Sequence, residues 1–133
     1  MALKRAEQSM LSAKSQALKP AGLTVAQYVA LDALETDPGI TAASLARACL
    51  VSPQAMMVVL KAMDEQGLIV RSPHARHPNV LELRLTEVGG EALQRGRELV
   101  APIERRLNDA IPAGDAQILT ALLERIIDAT PPD

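Results

Sequence analysis

Between Thr41 and Thr86 the chain places two short helical segments on either side of a tight link, then an alternating apolar run, and few folds accept that order. Thr41 is an N-cap residue type and opens a helix ending near Cys49. Ser52 is the next N-cap, Pro53 takes the first helical position, where its missing amide hydrogen costs nothing, and Gly67 supplies the stop. Leu68 to Arg71 and Leu81 to Leu85 then bracket a polar, proline-containing tip. Along the second run Leu81, Leu83 and Leu85 alternate with Glu82 and Arg84 at the period of a strand. Two short helices, a tight joint and a two-stranded hairpin are the parts of a winged helix-turn-helix. The expected fold is mainly α with one small β-hairpin.

Helices flank this unit. Ala2 to about Leu18 is rich in Ala, Lys, Glu and Gln, with Leu3, Ala6, Met10, Ala13, Ala17 and Leu18 near one face. Pro20 and Gly22 end it, and Thr24 with Gln27 has capping-box spacing for a second helix through about Glu35, its buried stripe Tyr28, Leu31 and Leu34. Asp37-Pro38-Gly39 is a turn signature. From Thr86 a long helix runs toward Ala110, with Gly89, Gly90, Gly96 and Pro102 expected to weaken or bend it. Pro112 and Gly114 are expected to break it off, before a last helix from about Asp115 to Ala129 with Ile118, Leu122 and Ile126 on one face.

Periodicity divides the fourth helix. Met56, Val59, Leu60 and Met63 recur at core spacing, which leaves Gln54, Met57, Val58, Lys61 and Glu65 toward solvent. That outer face has the chemistry of a double-stranded DNA reader. Ser52 and Gln54 can hydrogen-bond, Met57 and Val58 can touch a thymine methyl, and Lys61 can pair with phosphate. A solvated helix face is the plain alternative for Gln54 and Lys61. Arg71 and Arg84 read as strand-surface charges, with phosphate contact as the second reading.

The rest of the composition excludes more than it selects. With 133 residues and 48% hydrophobic content, the chain suits one globular domain, or one protomer of a dimer. Tyr28 is the only aromatic residue, so the stacking platforms of single-strand and sequence-specific RNA binders are missing. The net charge of −2 is unevenly spread: residues 1–40 carry four Lys/Arg against four Asp/Glu, residues 41–86 five against three, and residues 87–133 five against nine. The only positive third is the one assigned to DNA. Cys49 is the only cysteine, so no intrachain disulfide forms. No signal-like apolar run follows Lys4 and Arg5, and no segment approaches the ~18 apolar residues of a membrane span, so a cytoplasmic, membrane-free location is expected.

In this order and spacing the motifs resemble those of the MarR family of bacterial transcriptional regulators, from about Leu23 to Leu123. Leu23-Thr24-Val25-Ala26-Gln27-Tyr28 is similar to the family's LTxxQ helix entry, and Pro38-Gly39-Ile40-Thr41 with Leu45-Ala46 to its third-helix start. Val51-Ser52-Pro53-Gln54 with Gly67-Leu68-Ile69-Val70-Arg71 resembles the recognition helix and its exit, and Leu85-Thr86-Glu87-Val88-Gly89 the LTxxG that opens the long helix. The resemblance implies a single domain over 1–133, with residues 24–86 forming the DNA-binding lobe and 1–22 and 87–133 the dimerisation helices. It further implies a repressor dimer on a palindromic operator, its half-sites one helical turn (~34–36 Å) apart. A small aromatic or phenolic effector between lobe and dimerisation helices is also implied.

The wing departs from the family. Where Asp-x-Arg-Asp-x-Arg is frequent, this chain has His74-Ala75-Arg76-His77-Pro78-Asn79. Arg76 inherits the minor-groove role that the resemblance implies, with His77 beside it, while Asn79 replaces the second arginine and the bracing Asp-Arg pairing is lost. Ala55 and Met57 stand where polar Thr is common, so more shape-dependent recognition is expected. The two histidines also admit metal binding or a pH-sensitive phosphate contact, but a plain hairpin tip is the favoured reading. For Cys49, between Ala48 and Leu50, a buried structural thiol is favoured over a redox sensor. Met10, Met56 and Met63 read as core filler. No nucleophile motif, phosphate loop or paired catalytic carboxylates argue for an enzyme, and no cofactor is called for. The alternative function is a winged-helix interaction module or antirepressor with little DNA binding.

Overall fold

The computed structural model describes residues 1–131; the last two positions of the expected 87–133 segment lie outside the described residues. Six helices and one hairpin follow one another: α1 (Ala2–Leu18), α2 (Val25–Thr36), α3 (Ala42–Ala48), α4 (Pro53–Glu65), β1 (Ile69–Pro73), β2 (Leu81–Leu85), α5 (Glu87–Ala110) and α6 (Ala113–Ala129). A single 3₁₀ turn, Lys19–Ala21, links α1 to α2. The chain forms two compact units, Met1–Val100 and the residues from Ala101 onward.

Three of the N-termini form as their residue types require. Gln27 N–H donates to Thr24 Oγ1 and Thr24 N–H to Gln27 Oε1, both at 3.1 Å, completing the capping box of α2. Thr41 Oγ1 accepts from Ser44 N–H and Ser52 Oγ from Ala55 N–H, so each hydroxyl satisfies a donor the helix leaves unpaired. Gln27 is the one buried polar side chain among the described residues, and its amide is used: Nε2 donates to Gln66 Oε1 at 2.9 Å, and Gln66 Nε2 donates to the Gly22 carbonyl. This relay ties the start of α2 to the end of α4.

Helices α3 and α4 end in the same motif. Gly67, at φ 72°, donates to the Asp64 carbonyl while Leu68 donates to that of Met63. Likewise Leu50, at φ 57°, donates to the Arg47 carbonyl and Val51 to that of Ala46. Both are Schellman caps, which want glycine at the left-handed position; one has leucine instead. Leu50 is 92% exposed, so little packing offsets the strain. Leu50→Gly is therefore expected to stabilise the protein by about 0.5–1 kcal/mol, the relieved strain less the added freedom of the unfolded chain, read as a raised urea midpoint.

In the first unit the core gathers Leu18 from α1, Leu31 and Leu34 from α2, Leu45 from α3, Met56, Leu60 and Met63 from α4, Leu83 from β2, and Leu93 from α5. These elements thus face one apolar centre. Val59 of the expected α4 stripe and Tyr28 of the α2 stripe are half-buried. Met56 and Met63 fill the core as expected, but Met10 is 39% exposed.

Several boundaries differ from the expectation. Strand β1 continues to Pro73 because Ser72 and Pro73 pair with Glu82 and Leu81, and His74 N–H reaches the Val80 carbonyl at 2.8 Å. Leu81, at the tip end, is exposed despite its apolar phase. The turn before α3 also joins the sheet: Gly39 N–H donates to the Leu83 carbonyl, Leu83 N–H to that of Ile40, and Thr41 bridges Glu82.

Helix α5 runs unbroken through its glycines and Pro102. Two of those glycines are sites of close approach. A Cβ on Gly89 would overlap the Leu68 carbonyl oxygen, and one on Gly96 would lie 2.8 Å from Tyr28 Cδ1. Helix α6 starts at Ala113, so Gly114 lies in its first turn and does not separate it from α5.

In the second unit α6 leaves Ile118, Leu119, Leu122, Ile126 and Ile127 exposed by 42–64%. No single helix among the described residues is long and apolar enough to cross a membrane.

Candidate nucleic-acid interface

The link between α3 and α4 is the Schellman turn Cys49–Val51 followed at once by the Ser52 cap, and it bends the pair by 108°. The sharp turn follows from residue chemistry: a left-handed residue reverses the backbone, and a β-region N-cap relaunches it. Met56, Leu60 and Met63 hold the inner face of α4 in the core. Gln54, Met57, Val58 and Lys61 are thereby turned outward, Met57 67% and Val58 71% exposed. Two large apolar side chains this bare on one helix face call for a partner surface.

The expected α4 residues come together on one face, but they are not equivalent. Ser52 Oγ already accepts the Ala55 amide, so its first role is to position the helix; its hydroxyl hydrogen is left to donate. Pro53 is the first helical residue and contributes fixed backbone geometry. Gln54, next in the first turn, is exposed. Lys61 enters none of the ion pairs found among the described residues.

Arg76 and His77 sit apart from α4, at the hairpin tip. The bracing pair expected to be lost is replaced by His74, whose Nδ1 accepts the backbone N–H of Arg76 at 3.0 Å and of His77 at 3.2 Å. Accepting there puts the neutral ring's hydrogen on Nε2, which faces Glu82 Oε1 at 3.7 Å. The His74 and His77 rings lie 5.3 Å apart. His74 is thus a staple that folds the tip, where Arg76 is exposed. Nothing in the residue pattern announced this, because a histidine in a loop has no fixed local bond as Asp or Ser does at a cap.

Two arginines are not idle strand charges. Arg71 on β1 pairs with Asp64 in the last turn of α4, fastening the hairpin to the helix. Arg84 reaches Glu82 at 3.3 Å and lies over Gly39. Sequence reasoning also passed over Arg47, an exposed cation in the last turn of α3 whose Nη2 donates to Ser44 Oγ at 3.0 Å. Its place on the first helix of the pair, the one that crosses the phosphate backbone in such motifs, was the available signal.

A helix pair with a bare outer face and a stapled hairpin defines the winged helix-turn-helix class. Comparison with known proteins narrows it. The family model described as "MarR family" matches residues 21–77. The HTH-type transcriptional repressor Rv2887 of Mycobacterium tuberculosis is 31% identical over 112 residues, 84% of this chain and 81% of the relative. The transcriptional repressor CouR, solved bound to a 23-mer DNA duplex, is 28% identical with a TM-score of 0.85, covering 94% of this chain and 89% of that one. Rv2887 in complex with salicylic acid gives 30% identity and a TM-score of 0.71, covering 93% and 92%. The chain belongs to the MarR family, a family of transcriptional regulators.

Proposed function

We propose that this protein is a cytoplasmic transcriptional repressor that binds double-stranded DNA as a two-fold homodimer and leaves its operator when a small molecule binds. It reads DNA and turns over no substrate. The observation that carries the reading is the outer face of α4: Gln54, Met57, Val58 and Lys61 are bare, rigidly mounted and complementary to a major groove edge and its phosphates. Ser52 and Pro53 set the entry angle of that helix. Arg76, beside His77 on the stapled tip, reaches the minor groove, and Arg47 meets a phosphate.

The domain plan follows. Residues 24–86 are the reading lobe, and residues 1–22 with those from 87 onward bring two copies together. The exposed large apolar side chains of α1 (Leu3, Met10) and, separately, the exposed apolar row of α6 support this, because such rows call for a covering surface. Release by an effector is supported by relatives solved with salicylic acid and, for CouR at 29% identity, with p-coumaroyl-CoA.

Fluorescence anisotropy of duplexes from around the protein's own gene, titrated at several salt concentrations, tests the reading. Sequence-preferring binding whose log affinity falls by about 0.9 per phosphate contact per log salt is the expected result. No binding at low salt would overturn it in favour of an interaction module.

A further inference from the structure

A cleft of about 410 Å³ opens between α1, α2 and the α3–α4 turn, all within the first unit. Its wall is apolar, with Leu11 from α1, Val29 from α2, Leu50 and Val51 from the turn, and Met56 from α4 at its base. The volume lies in the range of small-molecule sites, and an apolar wall with one or two polar groups is their usual composition. Glu7 of α1 is the one lining side chain with a formal charge at neutral pH, since burial raises the Cys49 thiol above its ordinary value and keeps it neutral. Leu50, strained and nearly bare, lies on this wall, and an occupant would cover it.

We propose that this cleft is the effector site and that it takes a small hydrophobic molecule bearing an amine, whose apolar body covers Leu50 while its ammonium meets Glu7. The inference rests on the effector-released repressor reading and departs from its relatives' anionic ligands. A carboxylate or thioester-phosphate ligand placed here would meet a like charge and find no cation in the wall. Occupancy acts on DNA binding through one step: Leu50 and Val51 lead directly into the Ser52 cap, so filling the cleft against α1 shifts the start of α4 and the Gln54 that it carries.

The test compares three probes of similar size, 2-phenylethylamine, 2-phenylethanol and salicylate, by ¹H–¹⁵N spectra of the intact free protein. The amine and the alcohol shift the Val29, Leu50 and Val51 amides saturably, the amine binding roughly threefold tighter, the scale of one exposed ion pair. Glu7→Gln removes that preference and leaves the alcohol's affinity unchanged. Ala26→Phe, at an exposed position of α2 on the cleft wall, abolishes both while the spectrum stays dispersed as in the wild type. Salicylate shifting these amides as tightly as the amine overturns the proposal, as does an amine preference that survives Glu7→Gln. No shift with any probe, the outcome if a second copy covers the cleft, also overturns it. The repressor reading fails separately, on wild-type protein that binds no duplex in the absence of any probe.

Discussion

Gly89→Ala is expected to lower the unfolding free energy by about 3 kcal/mol or more, while Gly90→Ala, one residue on, raises it by roughly 0.5–1 kcal/mol. The opposite signs follow from what each new methyl would meet. At the start of α5, Thr86 N–H donates to the Leu68 carbonyl, Thr86 Oγ1 donates to the Gly67 carbonyl at 2.6 Å and accepts from Gly89 N–H at 3.0 Å. These bonds draw the first turn of α5 against the end of α4. A Cβ on Gly89 would overlap the Leu68 carbonyl oxygen and lie 3.0 Å from its carbon. Both sides of that clash are backbone, so relief requires moving α5 or breaking the Thr86 bonds. Beyond its own helix backbone Gly90 has no atom within 4 Å of its would-be Cβ, and alanine there gains helix propensity alone. Equilibrium urea unfolding of the two variants, followed by far-ultraviolet circular dichroism, measures both. A loss below about 1 kcal/mol for Gly89→Ala would mean that the turn yields, and that the close approach is not what the LTxxG spacing serves.

The same glycine shows what the sequence could and could not convey. Thr24, Thr41 and Ser52 were legible as caps because a cap is a local bond, made within three residues of the side chain that forms it. Gly67 was legible as a stop for the same reason. The inner stripe of α4 was legible because one helix face repeats its own period. Gly89 and Gly96 read as helix weakeners, since propensity counts only the helix they stand in; the Leu68 carbonyl and the Tyr28 ring, which make them necessary, come from elsewhere in the chain. Leu50 was hidden because the left-handed cap it fills usually declares itself by a glycine. The sheet pairing of Gly39 and Ile40 with Leu83 joins residues more than forty apart, and the His74 staple depends on a hairpin register that no residue type specifies. The resemblance implied a role for the wing and the loss of its brace; in the structure the His74 imidazole stands where that ion pair would be. Met10 fits the α1 stripe and read as core filler, yet it stays exposed, because periodicity marks a helix face without saying what covers it.

Gln54→Ala is expected to reduce operator affinity by roughly 5–150-fold, corresponding to the ~1–3 kcal/mol of one bidentate base contact, while leaving affinity for unrelated duplex nearly unchanged. Lys61→Ala should act in the complementary way, weakening all duplexes alike and flattening the salt dependence by about one unit per site. The distinction comes from position on one helix. Gln54 is the second residue of α4, next to the Ser52 cap, at the end of a recognition helix that meets base edges; its amide presents a donor and an acceptor together, the pattern that adenine matches in the major groove. Lys61 lies two turns further along, where a flexible ammonium reaches phosphate and carries no sequence information. Neither side chain holds the fold together, since both are exposed and neither has an ion-pair partner among the described residues, so a change in binding will not be a change in folding. With Met57 and Val58 able to supply only contacts to thymine methyls, the proposed reading makes Gln54 the main hydrogen-bonding reader on this face, and specificity should depend on it unusually strongly. Anisotropy titrations of both variants against operator and scrambled duplex at two salt concentrations separate the roles. Equal losses on both duplexes for Gln54→Ala would show that it touches backbone and not bases, and wild-type binding by both variants would place the DNA on a different face of the protein.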